Sequence, residues 1–286
     1  MKNATVVNNH PVQLQKSAVR KKRIDFRIVL QNMLPIVLFF LIWEAFGRLN
    51  QEFSWINPLF LPPPTLILTD GLVLAETGII TSSIISSTFR ILAGFSLGCI
   101  AAVIMGVIMS RSRFVETWIS PIINLVGPIP ALALLPLFII WFGIGEFPKI
   151  LLIAWSTFIP VLIYTLDGLK SVNSTLIRSA LSLGANQRQI FMRVILPSSI
   201  PSILVGIEVS LGLSFSALVV SEMMGAENGL GYIIVDARNY FKISNMFVAI
   251  ILIGLEYSLF AYILKKLKNR ILFWRKGGAQ TAIETK

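Results

Sequence analysis

The stretch LSLGANQRQIFMRVILP, residues 181–197, places two arginines, two glutamines, an asparagine and a glycine between two strongly apolar runs. Those runs are ILLIAWSTFIPVLIYTL at 150–166 and IPSILVGIEVSLGLSFSALVV at 200–220. A helix needs about 20 predominantly apolar residues to cross the hydrocarbon core of a bilayer. Both runs suit that length, so the polar stretch reads as a loop at a membrane surface.

Working outward, 55% of the 286 residues are hydrophobic and only 14% are charged. The mean hydropathy is +0.77, a balance that departs from soluble globular domains. Six apolar blocks can serve as spans: 33–46, with a start nearer Ile28 also readable, then 91–109, 118–142, 150–166, 200–220 and 246–264. The blocks are continuous rather than alternating, which favours helices over barrel strands. The expected fold is an all-α polytopic membrane protein of about six transmembrane helices. Trp43, Trp55, Trp118, Trp141 and Trp274 fall near span ends, as an interfacial belt requires, and Trp155 inside the fourth block reads as packing.

Six spans with the N-terminus inside put all but five of the 25 basic residues on the cytoplasmic side. The exceptions are Arg48, Arg90, Lys149, Arg238 and Lys242. That asymmetry satisfies the positive-inside rule and puts both termini in the cytoplasm. The expected organisation is a basic cytoplasmic tail over 1–27, a transmembrane domain over 28–268 with a cytoplasmic loop at 169–198, and a C-terminal cytoplasmic tail over 269–286. The net charge of +11 then reads as topology and attraction to anionic membrane lipid. Basic residues that flank spans, instead of sharing one soluble face, argue against nucleic acid. A signal peptide ending near Ala45-Phe46-Gly47 is the other reading of the N-terminus, but the long basic region favours an uncleaved first span.

Cys99 and His10 are the only residues of their kinds, which excludes an intrachain disulfide and a Cys/His zinc site. The chain contains neither G-x-x-x-x-G-K-[ST] nor G-x-S-x-G. No cofactor is expected in it, and it is not expected to be an enzyme.

The opening stretch carries folding signals of its own. Ser174 or Asn173 can cap a first helix, and Gly184 stands where a left-handed C-terminal cap needs a residue without a side chain. Asn186 with Gln189 three residues later resembles a capping box that opens a second helix. Ile190, Phe191, Val194 and Ile195 make one apolar face of it, and Pro197 is expected to end it. A loop close to 30 residues long is far above the ordinary 4 to 6. On the residues alone it is either a docking element for a partner or an amphipathic segment resting on the bilayer.

The segment RSALSLGANQRQIFMRVILPSSIPSI, 178–203, resembles the EAA loop of ATP-binding-cassette importer permeases, a signature of E-A-A, three residues, G, and a spacer ending in I-x-L-P. Ala180 matches the second alanine, Gly184 the glycine, and Ile195, Leu196 and Pro197 the end; Arg178 and Ser179 depart from the glutamate and first alanine. LPPPTLIL from Leu61, SSTFRILAGFSLG from Ser86, GPIPALALLPLFIIWFGIGEFPKI from Gly127 and SEMMGAENGLGYII from Ser221 are similar to permeases of the nitrate, sulfonate, taurine and bicarbonate group. The resemblance implies a type I importer fold in a prokaryotic plasma membrane. It also implies a second copy of the chain, two cytoplasmic ATPase subunits that bind the ATP, and an extracytoplasmic solute-binding protein. It makes the loop an ATPase-coupling surface, with Arg178, Ala180, Gly184, Ala185, Asn186 and Arg188 at its centre and Gln189, Phe191, Arg193, Leu196 and Pro197 beyond.

Pro128, Pro130 and Pro136 interrupt the third block, and freed carbonyls are tolerated in a membrane only where protein or water meets them. A pathway-lining role for them stands beside the plainer one of ordinary membrane-helix prolines. Glu44, Glu208, Glu222 and Glu256 lie in or beside spans, where a carboxylate is costly and is a candidate by default. Glu208 and Glu222 are the pathway candidates, with Glu222 also able to hold an outer gate, and Glu44 and Glu256 read as interhelical contacts. The functional expectation is a permease subunit that moves a small, anionic solute inward by alternating access. The alternatives are an ion-coupled secondary transporter, which would show an inverted repeat that is not visible here, or a channel.

Overall fold

A computed structural model describes the backbone of residues 26–273, with side chains from Met33 onward. Most of both expected tails lies outside the described residues. The helices are α1 (Phe26–Phe53), α2 (Pro64–Glu76), α3 (Ile79–Arg111), α4 (Arg113–Val126), α5 (Ala131–Phe142), α6 (Glu146–Lys170), α7 (Ser174–Ser182), α8 (Gln187–Ile190), α9 (Leu196–Gly225), α10 (Leu230–Asn239) and α11 (Ile243–Ile271).

Among the described residues, five helical runs are long and apolar enough to cross a membrane: 33–53 within α1, α3, α6, the continuous run Gln187–Gly225, and α11. The sixth is a broken pair, α4 and α5, bent by 104°. The third apolar block is therefore not one straight helix. Pro128 and Pro130 cannot donate backbone hydrogen bonds, and they fall in the gap between the two pieces.

Two further expectations are corrected. The second span begins at Ile79 rather than near Ile91, so Arg90 lies within α3 instead of flanking it. Pro197 does not end a helix: the chain stays helical from Gln187 to Gly225. A π turn at Phe191–Ile195, closed by the Leu196 N–H onto the Phe191 carbonyl, comes immediately before the proline. A regular helix would crowd the proline ring against the carbonyl four residues back, and a widened turn is a recognised way around that clash.

Helix α6 sits at the centre, packed along most of its length against α3 on one side and α9 on the other. Small residues let the backbones meet. Gly94, Gly98, Ala102 and Gly106 recur every four residues on α3 and are all buried. A Cβ on Gly98 would stand 2.4 Å from the Ala154 carbonyl oxygen. Close approach of this kind replaces the hydrophobic driving force that lipid cannot supply between helices. The core beside it joins Ile91, Leu135, Phe138, Leu152, Ile153, Leu211, Phe215 and Leu218.

Candidate functional site

The loop after α6 is built from caps. The Asn173 side chain accepts the Thr175 N–H at 2.8 Å to open α7. Gly184 follows α7 with φ +79°. The N–H of Ala185 reaches the Ala180 carbonyl at 3.1 Å and that of Gly184 the Leu181 carbonyl at 2.9 Å. These two bonds form a Schellman cap, the geometry that requires the left-handed glycine. Asn186 and Gln189 then form the capping box, each side chain accepting the other's N–H at 2.9 Å.

The apolar face of the second helix turns inward, contrary to its reading as the docking face. Ile190 and Phe191 are buried in this chain, and the Arg111 guanidinium from the end of α3 lies 4.7 Å from the centre of the Phe191 ring. Exposed instead are Leu176, Leu181, Met192 and Leu183, the last 88% exposed. Arg178, Arg188 and Arg193 are exposed around them, whereas Ala180, Ala185, Leu196 and Pro197 are half-buried. The loop thus exposes four large apolar side chains and three arginines.

A cavity of ≈ 390 Å³ opens at the break between α4 and α5. Pro128, Pro130 and Ala131 line it from the break, Trp155, Ser156 and Ile159 from the middle of α6, and Leu213, Ser216 and Val220 from α9. Trp155 is thus a wall residue, although the sequence suggested only packing. Pro136 is inside α5 and is absent from this wall, as are Glu208 and Glu222.

Glu222 belongs to a buried ion cluster at the end of the bundle away from the loop. One carboxylate oxygen accepts from Ser87 Oγ at 2.7 Å and Arg90 Nη1 at 2.8 Å, and the other accepts the Gly231 N–H at 2.8 Å. Arg90 also grips Glu146 through Nε and Nη2 at 2.6 and 2.8 Å, and donates to the Asn228 carbonyl at 2.8 Å and its Oδ1 at 2.5 Å. Lys149 donates to Glu146 at 3.0 Å, so two cations meet two carboxylates. Arg90 and Glu222 are each 1% exposed. A buried pair survives when its remaining donors and acceptors are satisfied, as they are here. The sequence holds one clue to Arg90: an arginine and a glutamate, each inside an apolar run, call for each other.

The other carboxylates are structural in their contacts. Glu208 on α9 pairs with Lys268 on α11 at 2.7 Å. Glu44 accepts the Thr65 N–H and hydroxyl at 3.0 and 2.8 Å, tying α1 to the start of α2. Thr88 donates to Glu256 at 2.8 Å. Lys170 pairs with Glu116, holding the end of α6 to α4.

A bundle of membrane-length helices with a cavity against its central helix and a capped, exposed loop at one end suits a membrane transport subunit. Residues 94–271 match the family described as binding-protein-dependent transport system inner membrane component. The chain is 35% identical to the putative aliphatic sulfonates transport permease SsuC of Bacillus subtilis, covering 90% of this chain and 92% of that protein. It is 38% identical to the taurine transport system permease TauC of Escherichia coli, covering 77% and 82%. Its fold matches a chain of the inward-facing MetNI methionine ABC transporter with a TM-score of 0.57 at 18% identity, covering 68% of this chain and 96% of that one. The chain belongs to the family of binding-protein-dependent ABC importer permeases, and is a multi-pass inner-membrane subunit that transports rather than catalyses.

Proposed function

We propose that this permease forms the pathway of an importer for small organic sulfonates, taurine among them. Support for the substrate class comes from the relatives whose names carry those solutes and whose length it matches almost throughout. In this reading two copies enclose the pathway, an external binding protein delivers the solute, and each copy presents its 169–198 loop to one cytoplasmic ATPase subunit that binds ATP. Both termini and the basic end of the bundle face the cytoplasm, beside anionic lipid.

The observation that carries the reading is the separation of an exposed loop, with Gly184 at its turn, from a cavity halfway along α6. Motion of the loop reaches the cavity directly, because the helical run from Gln187 continues into the α9 wall. ATP-driven closure of the ATPases would tilt α9 and change which side the cavity opens to. The coupling residues are Arg178, Leu181, Leu183, Gly184, Arg188 and Arg193, with Asn186 and Gln189 holding the turn. Pro128 and Pro130 line the path, Pro136 stands inside α5 off that wall, and Glu222 holds the outer end closed through Arg90, which grips Asn228. Reconstituted with its ATPase and binding protein, the complex should accumulate labelled taurine or ethanesulfonate in an ATP-dependent manner. Accumulation of a neutral amino acid in place of either sulfonate would refute the substrate class.

A further inference from the structure

We propose that the cavity at the α4–α5 break holds the oxyanion end of a small organic sulfonate in transit, through the first amides of α5 and the hydroxyl of Ser156. This rests on the reading of the chain as an importer of sulfonates. Two independent features converge on the cavity. Helix α5 starts there, and its N-cap, Pro130, offers no side-chain cap. Of the first-turn amides, that of Ala133 bonds back to the Pro130 carbonyl at 2.9 Å. Those of Ala131 and Leu132, both wall residues, precede the first helical hydrogen bond and have no partner within the helix. The N-terminus of a helix attracts anions through such amides and the helix dipole.

The second feature is Ser156 on the facing wall. It is only 9% exposed, and its Oγ is buried without a hydrogen-bond partner among the described residues. Helical serines commonly bond the carbonyl four residues back. Ser214 and Ser258 do so here, each at 2.7 Å. Ser156 does not, although leaving a buried hydroxyl unsatisfied is costly. A change of the Ser156 rotamer toward the cavity that the residue lines would let a sulfonate oxygen between α5 and α6 meet the hydroxyl and the two amides together.

The rest of the wall suits the other end of such a solute. Trp155, Ile159, Leu213 and Val220 are apolar, and the volume of ≈ 390 Å³ accommodates a short alkyl chain. No carboxylate lines the wall to repel an anion, and no lysine or arginine lines it to trap one. Neutral donors fit a transport site, which must bind well enough to admit the solute and weakly enough to release it.

The test uses the assembled complex with Cys99→Ser and Ser216→Cys, which puts this chain's sole thiol on the cavity wall, and follows labelling of this chain. Its reaction with 2-sulfonatoethyl methanethiosulfonate is timed against increasing ethanesulfonate or its neutral analogue, ethyl methyl sulfone. Ethanesulfonate should protect where the sulfone does not. Ser156→Ala should raise the half-protecting concentration about tenfold, the equivalent of one charge-assisted hydrogen bond. Ala131→Pro should do the same, because proline is tolerated at the first helical position and removes only the N–H. Co-purification of the ATPase checks that both variants assemble. Equal protection by the two compounds, indifference to both substitutions, or a thiol that never reacts would overturn the site. If vesicles of the same complex still import ethanesulfonate, the importer reading stands and the site alone falls. Neither uptake nor protection would overturn both.

Discussion

Gly184 and Gly229 both hold a left-handed backbone, beyond opposite ends of the helical run Gln187–Gly225, with φ of +79° and +123°. Beyond its chain neighbours, nothing described lies within 4 Å of where a Cβ on Gly184 would stand. A Cβ on Gly229 would lie 2.5 Å from Glu222 Cδ and 2.7 Å from Arg90 Nη1. One glycine is required by backbone shape alone, the other by shape and by packing against buried charge. The loop end leaves its surface open, whereas the far end closes on itself around a saturated ion cluster.

The contrast breaks most visibly at the far end. Glu222→Ala leaves Arg90 half-compensated in a buried site, and loss of one partner of such a pair costs about 3–5 kcal/mol. The variant should lose much of its folded yield and unfold at markedly lower temperature in detergent; unchanged unfolding would show that the cluster is not a clamp. Gly229→Ala comes next, since its methyl group must displace Glu222 or Arg90 in addition to the backbone strain. Thermal unfolding should fall toward that of Glu222→Ala, and an effect no larger than at the other glycine would erase the distinction between the two ends.

At the loop end the expected losses are smaller and of another kind. Gly184→Val meets only the left-handed penalty, about 1–2 kcal/mol, confined to the turn. Unfolding of the spans should be nearly unchanged while substrate-stimulated ATP hydrolysis uncouples from uptake, and Gly184→Asn should be milder because asparagine tolerates that region. Global unfolding of the valine variant would place the turn in the fold's core. Smallest is Arg111→Leu, which removes the cation over Phe191, worth about 0.5–1 kcal/mol. Faster hydrogen exchange confined to residues 187–195 is the expected sign, and unaltered exchange would show that the contact does not tether the loop.

The spans were legible because length and continuous apolarity are one-dimensional properties, and the prolines at 128 and 130 marked the third as the one that breaks. Gly184, Asn186 and Gln189 were legible because caps depend on spacing along the chain. What failed was direction. Periodicity showed that Ile190 and Phe191 share an apolar face, but it does not say whether that face meets a partner or the chain itself, and it meets the chain. Arg90 was read as a flank because its partners Glu146, Glu222 and Asn228 are 56 to 138 residues away. The partnerless hydroxyl of Ser156 has no sequence signature at all, since only the packed bundle decides which serine finds an acceptor.

The central claim, that the loop is an ATPase-docking surface independent of the fold, is tested most directly at Leu183. Its side chain is 88% exposed, so Leu183→Asp removes an apolar contact without removing anything from the core. The permease should reach the membrane and unfold at the wild-type temperature, yet fail to co-purify with its ATPase. Normal co-purification with coupled ATP hydrolysis would contradict the claim.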